Sequence, residues 1–151
     1  METSQAIKLD IAKSFPVTAD RLYQAWTSPE DLKQWWHPMG NILQRATTKP
    51  QVGAPVEYVF ATEAGAHSFT INGQYKEVQE NQRLVYTWNW NLPAATVGNS
   101  AFLLTVVFNN EGTGSRLSVT QENFTDEEAV HPHSEGWEKA LNDLHHFLSQ
   151  Q

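Results

Sequence analysis

Six histidines and no cysteine set the acid–base repertoire of this chain, because histidine alone changes charge near neutral pH without a shifted pKa. His37 follows the pair Trp35-Trp36 directly and precedes Pro38, so it sits where a helix must stop. His67 alternates with Phe69 and Ile71, which gives it the parity of an inward-facing strand position. Either imidazole can serve as donor, acceptor or base. His131 and His133 flank Pro132, with Glu128 and Glu135 close in sequence. Histidine and carboxylate suit zinc, but there is no HExxH-type pair, and the stretch reads as a solvated loop. His146 lies opposite the apolar stripe of the terminal segment and His145 at its edge, so both belong to the surface. There is no nucleophile elbow, phosphate-binding loop or dinucleotide fingerprint, and Gly112-Thr113-Gly114 marks only a hairpin turn. No paired carboxylates fall on one interior face, and the sequence shows no catalytic constellation, metal site or cofactor motif.

Tryptophan is the second chemical resource, with six in 151 residues, more than filling a core requires. Trp35 and Trp36 are adjacent, and neighbouring helical residues point about 100° apart, so one helix face cannot easily hide both rings. The expectation is that Trp35 packs in the core and Trp36 lines a cavity rim. Tyr86, Trp88 and Trp90 share one strand parity. Such a row fills a core or walls a cavity for an aromatic or acyl ligand, and an indole N–H can orient a polar group of that ligand.

The elements that must position these rings follow from periodicity. Ile7, Leu9 and Ile11 alternate with polar residues in an opening strand. Thr18 caps a short helix carrying Leu22 and Trp26, and Ser28-Pro29 starts a second that ends before Pro38. From about Ile42 to Phe124 the pattern is strands: Val56/Tyr58/Phe60, Phe69/Ile71/Tyr75 with Gly73 between, Leu84/Tyr86/Trp88/Trp90, Leu104/Val106/Phe108, and Leu117/Val119. Gly73 predicts a bulge or a close backbone approach. Consecutive strands without helices between them make an antiparallel meander. Thr125-Asp126-Glu127-Glu128 reads as a capping box, Pro132 as an interruption, and a long amphipathic helix runs from about Ser134 to the end. Its apolar arc holds Trp137, Ala140, Leu141, Leu144, Phe147 and Leu148.

A length of 151 residues fits one domain, 1–151. A net charge of −7 with scattered basic residues argues against nucleic acid. No apolar run is long enough to insert in a membrane, and the first residues carry no secretory pattern, which points to the cytoplasm.

An ordered set of pieces then resembles a known family. The set runs from Phe15-Pro16 to Ala25-Trp26-Thr27, through Trp35-Trp36-His37-Pro38, Gly53, and Gly73-Gln74-Tyr75-Lys76-Glu77-Val78. Arg83-Leu84-Val85-Tyr86-Thr87-Trp88, Gly114-Ser115-Arg116-Leu117, and Gly136-Trp137 with Leu141 and Leu144 complete it. It is similar to the proteins homologous to the C-terminal domain of the activator of the heat-shock-protein-90 ATPase, within the START-like (SRPBCC) superfamily. The resemblance implies an α+β helix-grip fold: a curved antiparallel sheet, two short helices and one long C-terminal helix. Members often carry a doubled glycine where this chain has Gly53-Ala54, and histidine where it has Gln121 on the cavity-facing strand. Glutamine cannot act as a base near neutral pH, which weakens the case for an enzyme.

The reading that follows is a hydrophobic small molecule, aromatic or lipid-like, held between sheet and terminal helix. Trp36, Phe69, Tyr86, Trp88, Leu104, Trp137 and Leu141 would form its walls, with His37, His67 and Gln121 as polar partners. The alternatives are a stress-related, co-chaperone-like domain with a chaperone partner, and a cyclase- or hydrolase-like enzyme using His37 or His67. The expected assembly is a monomer or weak homodimer.

Overall fold

The computed structural model describes residues 7–91, 101–124 and 130–150. Seven strands form one antiparallel sheet in the order β1-β7-β6-β5-β4-β3-β2. They are β1 (Ile7–Phe15), β2 (Ile42–Thr47), β3 (Pro55–Ala61), β4 (His67–Gln79), β5 (Arg83–Asn91), β6 (Ala101–Glu111) and β7 (Gly114–Phe124). The helices are α1 (Ala19–Thr27), α2 (Pro29–Trp35) and α3 (Val130–Ser149), with a 3₁₀ turn at Pro38–Gly40. This is the helix-grip α+β architecture. The capping sequence Thr125–Glu128 and the side chain of Trp90 lie outside the described part.

The order of strands explains the helix pair. Strands β1 and β2 are consecutive along the chain yet occupy opposite edges of the sheet. The connection must therefore cross the molecule, and α1 and α2 make the crossing. Ser28 joins them: its hydroxyl accepts from the Asp31 N–H, and Pro29 starts α2 where a missing N–H costs nothing. An ion pair between Arg21 and Asp31 at 2.9 Å ties the two helices together. The expected side-chain cap of α1 by Thr18 does not form, because the Thr18 hydroxyl turns to Asp20. Asn110, at the far end of β6, takes its place by accepting from the Ala19 N–H at 3.0 Å.

Alternation along the strands gives the sheet an apolar inner face. Val56, Tyr58, Phe60, Phe69, Ile71, Tyr75, Leu84, Tyr86, Trp88, Phe102, Leu104, Val106, Phe108, Leu117 and Val119 are all buried. Register shifts at Leu43/Arg45, Phe60/Ala61 and Tyr75/Glu77 each place an extra residue on one strand, and such bulges bend a sheet. The long helix α3 closes the concave side with Trp137, Ala140, Leu141, Leu144 and Leu148 buried. It begins at Val130, earlier than the sequence suggests. Pro132 falls in its first turn, where the absent N–H has no intrahelical partner to lose.

Gly73 carries the close approach anticipated for it. A Cβ built there would lie 1.7 Å from the Thr87 carbonyl oxygen on β5. The neighbouring Gln74 N–H donates to the Thr87 hydroxyl at 2.8 Å, so side chain substitutes for backbone in the ladder. Because the obstructing atom is backbone, Gly73→Ala must push β4 and β5 apart. It is expected to destabilise the fold by about 3 kcal/mol, read as a lower urea midpoint with unchanged slope.

Candidate functional site

Five tryptophans meet inside the grip and touch in a closed circuit. Trp26 of α1 lies 5.7 Å from Trp35, Trp35 lies 6.2 Å from Trp36, and Trp36 lies 5.7 Å from Trp88 of β5, between ring centroids. Trp88 lies 5.8 Å from Trp137 of α3, and Trp137 stacks on Trp26 at 5.9 Å with the planes 14° apart. Tyr58 and Phe60 of β3 set their rings edge-on to Trp36, at 4.8 and 5.1 Å. These spacings are those of rings in direct contact.

Both members of the tryptophan pair are buried, which corrects the expected split between core and rim. Trp36 is the C-cap of α2, with φ −102° and ψ 108°. Its extended backbone leaves the helical path and swings the ring inward beside Trp35. The 100° argument holds only where both residues are helical.

Polar atoms within this shell are few and mostly paired. The Trp35 indole N–H donates to the Ala25 carbonyl at 2.9 Å, and the Trp26 N–H donates to the Tyr86 hydroxyl at 3.0 Å. Tyr58 hydrogen-bonds Tyr86 as well. Burial pushes the phenols of Tyr58, Tyr75 and Tyr86 far above the ordinary tyrosine range, so all three are neutral at any physiological pH. The Trp137 N–H donates to Gln121 Oε1 at 2.7 Å, across the gap between α3 and β7. The Gln121 amide nitrogen lies 3.4 Å from His133 Nδ1. The Trp88 N–H is the exception: it is buried with no hydrogen-bond partner.

The predicted site residues therefore separate into two groups. Phe69, Tyr86, Trp88, Leu104 and Gln121 are buried on the inner face of the sheet, Trp137 and Leu141 on α3, and Trp36 at the end of α2. His37 is half-buried at the bend between α2 and the 3₁₀ turn. His67 does not join them, which corrects its expected inward parity. Phe60 pairs with Phe69 and Ala61 with His67, so an extra residue intervenes and turns His67 outward. It is exposed and lies 3.2 Å from the Thr70 hydroxyl. A base at this position does not face the interior.

His133 is the residue that the sequence reading missed. Assigned there to a solvated loop, it lies on the first turns of α3, half-buried, with its ring 5.2 Å from Phe102. Its spacing of four from Trp137 was the available signal, since that spacing puts both on one helix face. Burial lowers its pKa from the ordinary 6.5. His131 stays exposed, 3.4 Å from Glu135. Among the described residues no three histidine, aspartate or glutamate side chains converge to hold a metal ion.

A cleft of about 520 Å³ opens elsewhere, between α1 and the β4–β5 turn, lined by Asp20, Tyr23, Gln24, Thr27, Pro50, Val78, Glu80 and Asn81. None of the predicted site residues borders it.

Two consequences can be measured. Gln121→Leu leaves the Trp137 N–H buried and unpaired and is expected to cost about 1–3 kcal/mol. Combined with Trp137→Phe the cost is less than the sum, and a double-mutant cycle in urea reads the coupling. His133 contributes the second. Its folded pKa is depressed, so the unfolded chain takes up a proton first, and stability present above pH 6.5 falls as pH drops through the lower folded value. Unfolding midpoints taken between pH 7.5 and pH 4.5 should show this slope, and His133→Gln should flatten it.

The model of the family described as Activator of Hsp90 ATPase homolog 1-like protein matches residues 16–149. The chain belongs to that family, and with it to the START-like (SRPBCC) superfamily. Solved structures agree in fold. A Rhodobacter sphaeroides protein, 20% identical, superposes with a TM-score of 0.81 over 97% of each chain. The AHSA1 protein of Silicibacter pomeroyi, 25% identical, does so with 0.77 over 95% of this chain and 99% of its own. A Chromobacterium violaceum protein, 21% identical, does so with 0.77 over 93% and 96%. No curated protein matches the sequence. No helix among the described residues is long and apolar enough to cross a membrane.

Proposed function

From membership of that family and from the state of the core, we propose that this protein binds a hydrophobic small molecule, aromatic or lipid-like, between the curved sheet and α3. The observation that carries the reading is the Trp88 N–H, a buried donor with no acceptor, beside the paired indole donors of Trp26, Trp35 and Trp137. An orphaned donor of this kind costs about 1–3 kcal/mol, and an occupant bringing an acceptor recovers that loss.

The tryptophan rings lie in contact with one another, so the ligand enters by parting them. Trp36 and Trp137 are the rings best placed to yield, since they keep 6% and 7% of their surface exposed while Trp88 keeps 2%. Trp137 rides on α3, and a small outward shift of that helix opens both its contacts with Trp26 and Trp88. Gln121 then guides Trp137 back, because the hydrogen bond between them re-forms only when the helix is seated. Phe69, Leu104 and Leu141 supply the apolar remainder of the site, and His37 stands at its margin.

Native mass spectrometry of the protein purified from its own host tests the proposal. The expected spectrum contains a species heavier than the bare chain by the mass of one small molecule, which organic solvent extracts. A spectrum of bare chain alone, together with indole N–H resonances unmoved by a panel of hydrophobic probes, would sink it.

A further inference from the structure

The chemistry around Trp88 narrows what such a ligand can be. The polar residues buried among the described residues are Asn41, Thr48, Ser115 and Gln121, none of them charged. The rings that enclose Trp88 are those of Trp36, Tyr58, Tyr86 and Trp137, all within 5.6–5.8 Å of it between centroids. A carboxylate drawn to the Trp88 N–H would find one hydrogen bond and no charged residue among the buried ones described, and an ion buried so poorly compensated is strongly disfavoured. An ammonium would meet aromatic faces, which attract cations, but it has no lone pair to offer the N–H. A plain hydrocarbon would leave the donor unpaired. Only a neutral group with an exposed lone pair satisfies both the N–H and the uncharged walls.

We infer that the ligand is a neutral, flat aromatic compound carrying one carbonyl or ether oxygen, and that the Trp88 N–H donates to that oxygen. The inference rests on the binding function proposed above and specifies its substrate class. Flatness follows from the neighbours: Trp137 on Trp26 and Phe60 on Phe69 already stack with planes 14° and 18° apart, and a ring is the shape that can slip between such faces. The hydroxyls of Tyr58 and Tyr86 bond each other, and Tyr86 also accepts from Trp26, whereas the Trp88 N–H has no partner within the protein.

Four probes on one skeleton test this with the full-length protein: 2-acetylnaphthalene, 2-ethylnaphthalene, 2-naphthoate and 2-naphthylmethylammonium, titrated at pH 7.5. Binding is followed through the indole N–H cross-peaks in a proton–nitrogen NMR spectrum, with Trp88→Phe identifying its peak. The ketone is expected to bind about five- to tenfold tighter than the ethyl compound and to shift the Trp88 peak downfield. The carboxylate is expected to bind at least about tenfold more weakly than the ketone. In Trp88→Phe the ketone should fall to the affinity of the ethyl compound, whose own binding should not change. If the ketone and ethyl compound bind equally and the Trp88 peak stays fixed, a water satisfies the N–H, and the acceptor is wrong although hydrophobic binding stands. If the naphthoate or the ammonium binds tightest, the neutral class is wrong. If none of the four binds, the aromatic class is wrong, and the native mass spectrum decides separately whether the binding function stands with another hydrophobic molecule. Should Trp88→Phe fail to fold, the ranking of the four probes on the unaltered protein decides alone.

Discussion

Trp26 is the ring on which the three layers of this protein converge. It belongs to α1, stacks on Trp137 of α3, touches Trp35 of α2 and donates its N–H to Tyr86 of β5. Few side chains can do this, because the task needs two broad faces and a donor on the edge. Its placement is forced by topology. A chain whose first two strands occupy opposite edges of one sheet must cross the end of that sheet, and α1 makes the first half of the crossing. Tyr23 and Trp26 then press edge-on against Phe108 of β6, which locks the crossing to the strands beneath it. Without that anchor Trp137 of α3 would lose the ring it stacks on.

The interior is organised so that aromatic carbon does the packing and a small number of neutral polar atoms set orientation. Gln121 is the clearest case. It is fully buried on β7, opposite Leu104 of β6 and Leu9 of β1, and it fixes the rotation of α3 through Trp137. A histidine there could hold the same bond but would bring a charge on acidification. Here the titrating group lies one step further out, on His133, which meets the amide from the helix side. Acid therefore acts on the seat of α3 rather than on the strand below it.

Much of this was legible in the amino-acid order. Alternation gave Val56/Tyr58/Phe60, Leu84/Tyr86/Trp88 and Leu104/Val106/Phe108 their inward faces, because a half-buried strand writes its burial with period two. The arc of α3 was equally plain. What escaped lay where a single residue leaves its period. Trp36 exits its helix one residue before the stop that Pro38 marks, and an extra residue on β4 turns His67 outward with no local marker at all. Pro132 suggested an end to structure where it in fact begins a helix, and so His133 was placed with solvent. The cap on α1 comes from Asn110, 91 residues beyond the N–H it receives, a distance over which no spacing rule operates. For the site, residue types were readable but their mutual contact was not, since a circuit through α1, α2, β5 and α3 exists only after folding.

That closed circuit has an optical consequence. Five indoles whose centroids lie 5.7–6.2 Å apart exchange excitation far faster than they emit. Light absorbed by any one of them is shared, its polarisation is lost, and emission leaves from whichever ring has the lowest excited state. The emission of these five is therefore a property of their ring as a whole. Moving a single member changes the colour and brightness of all five.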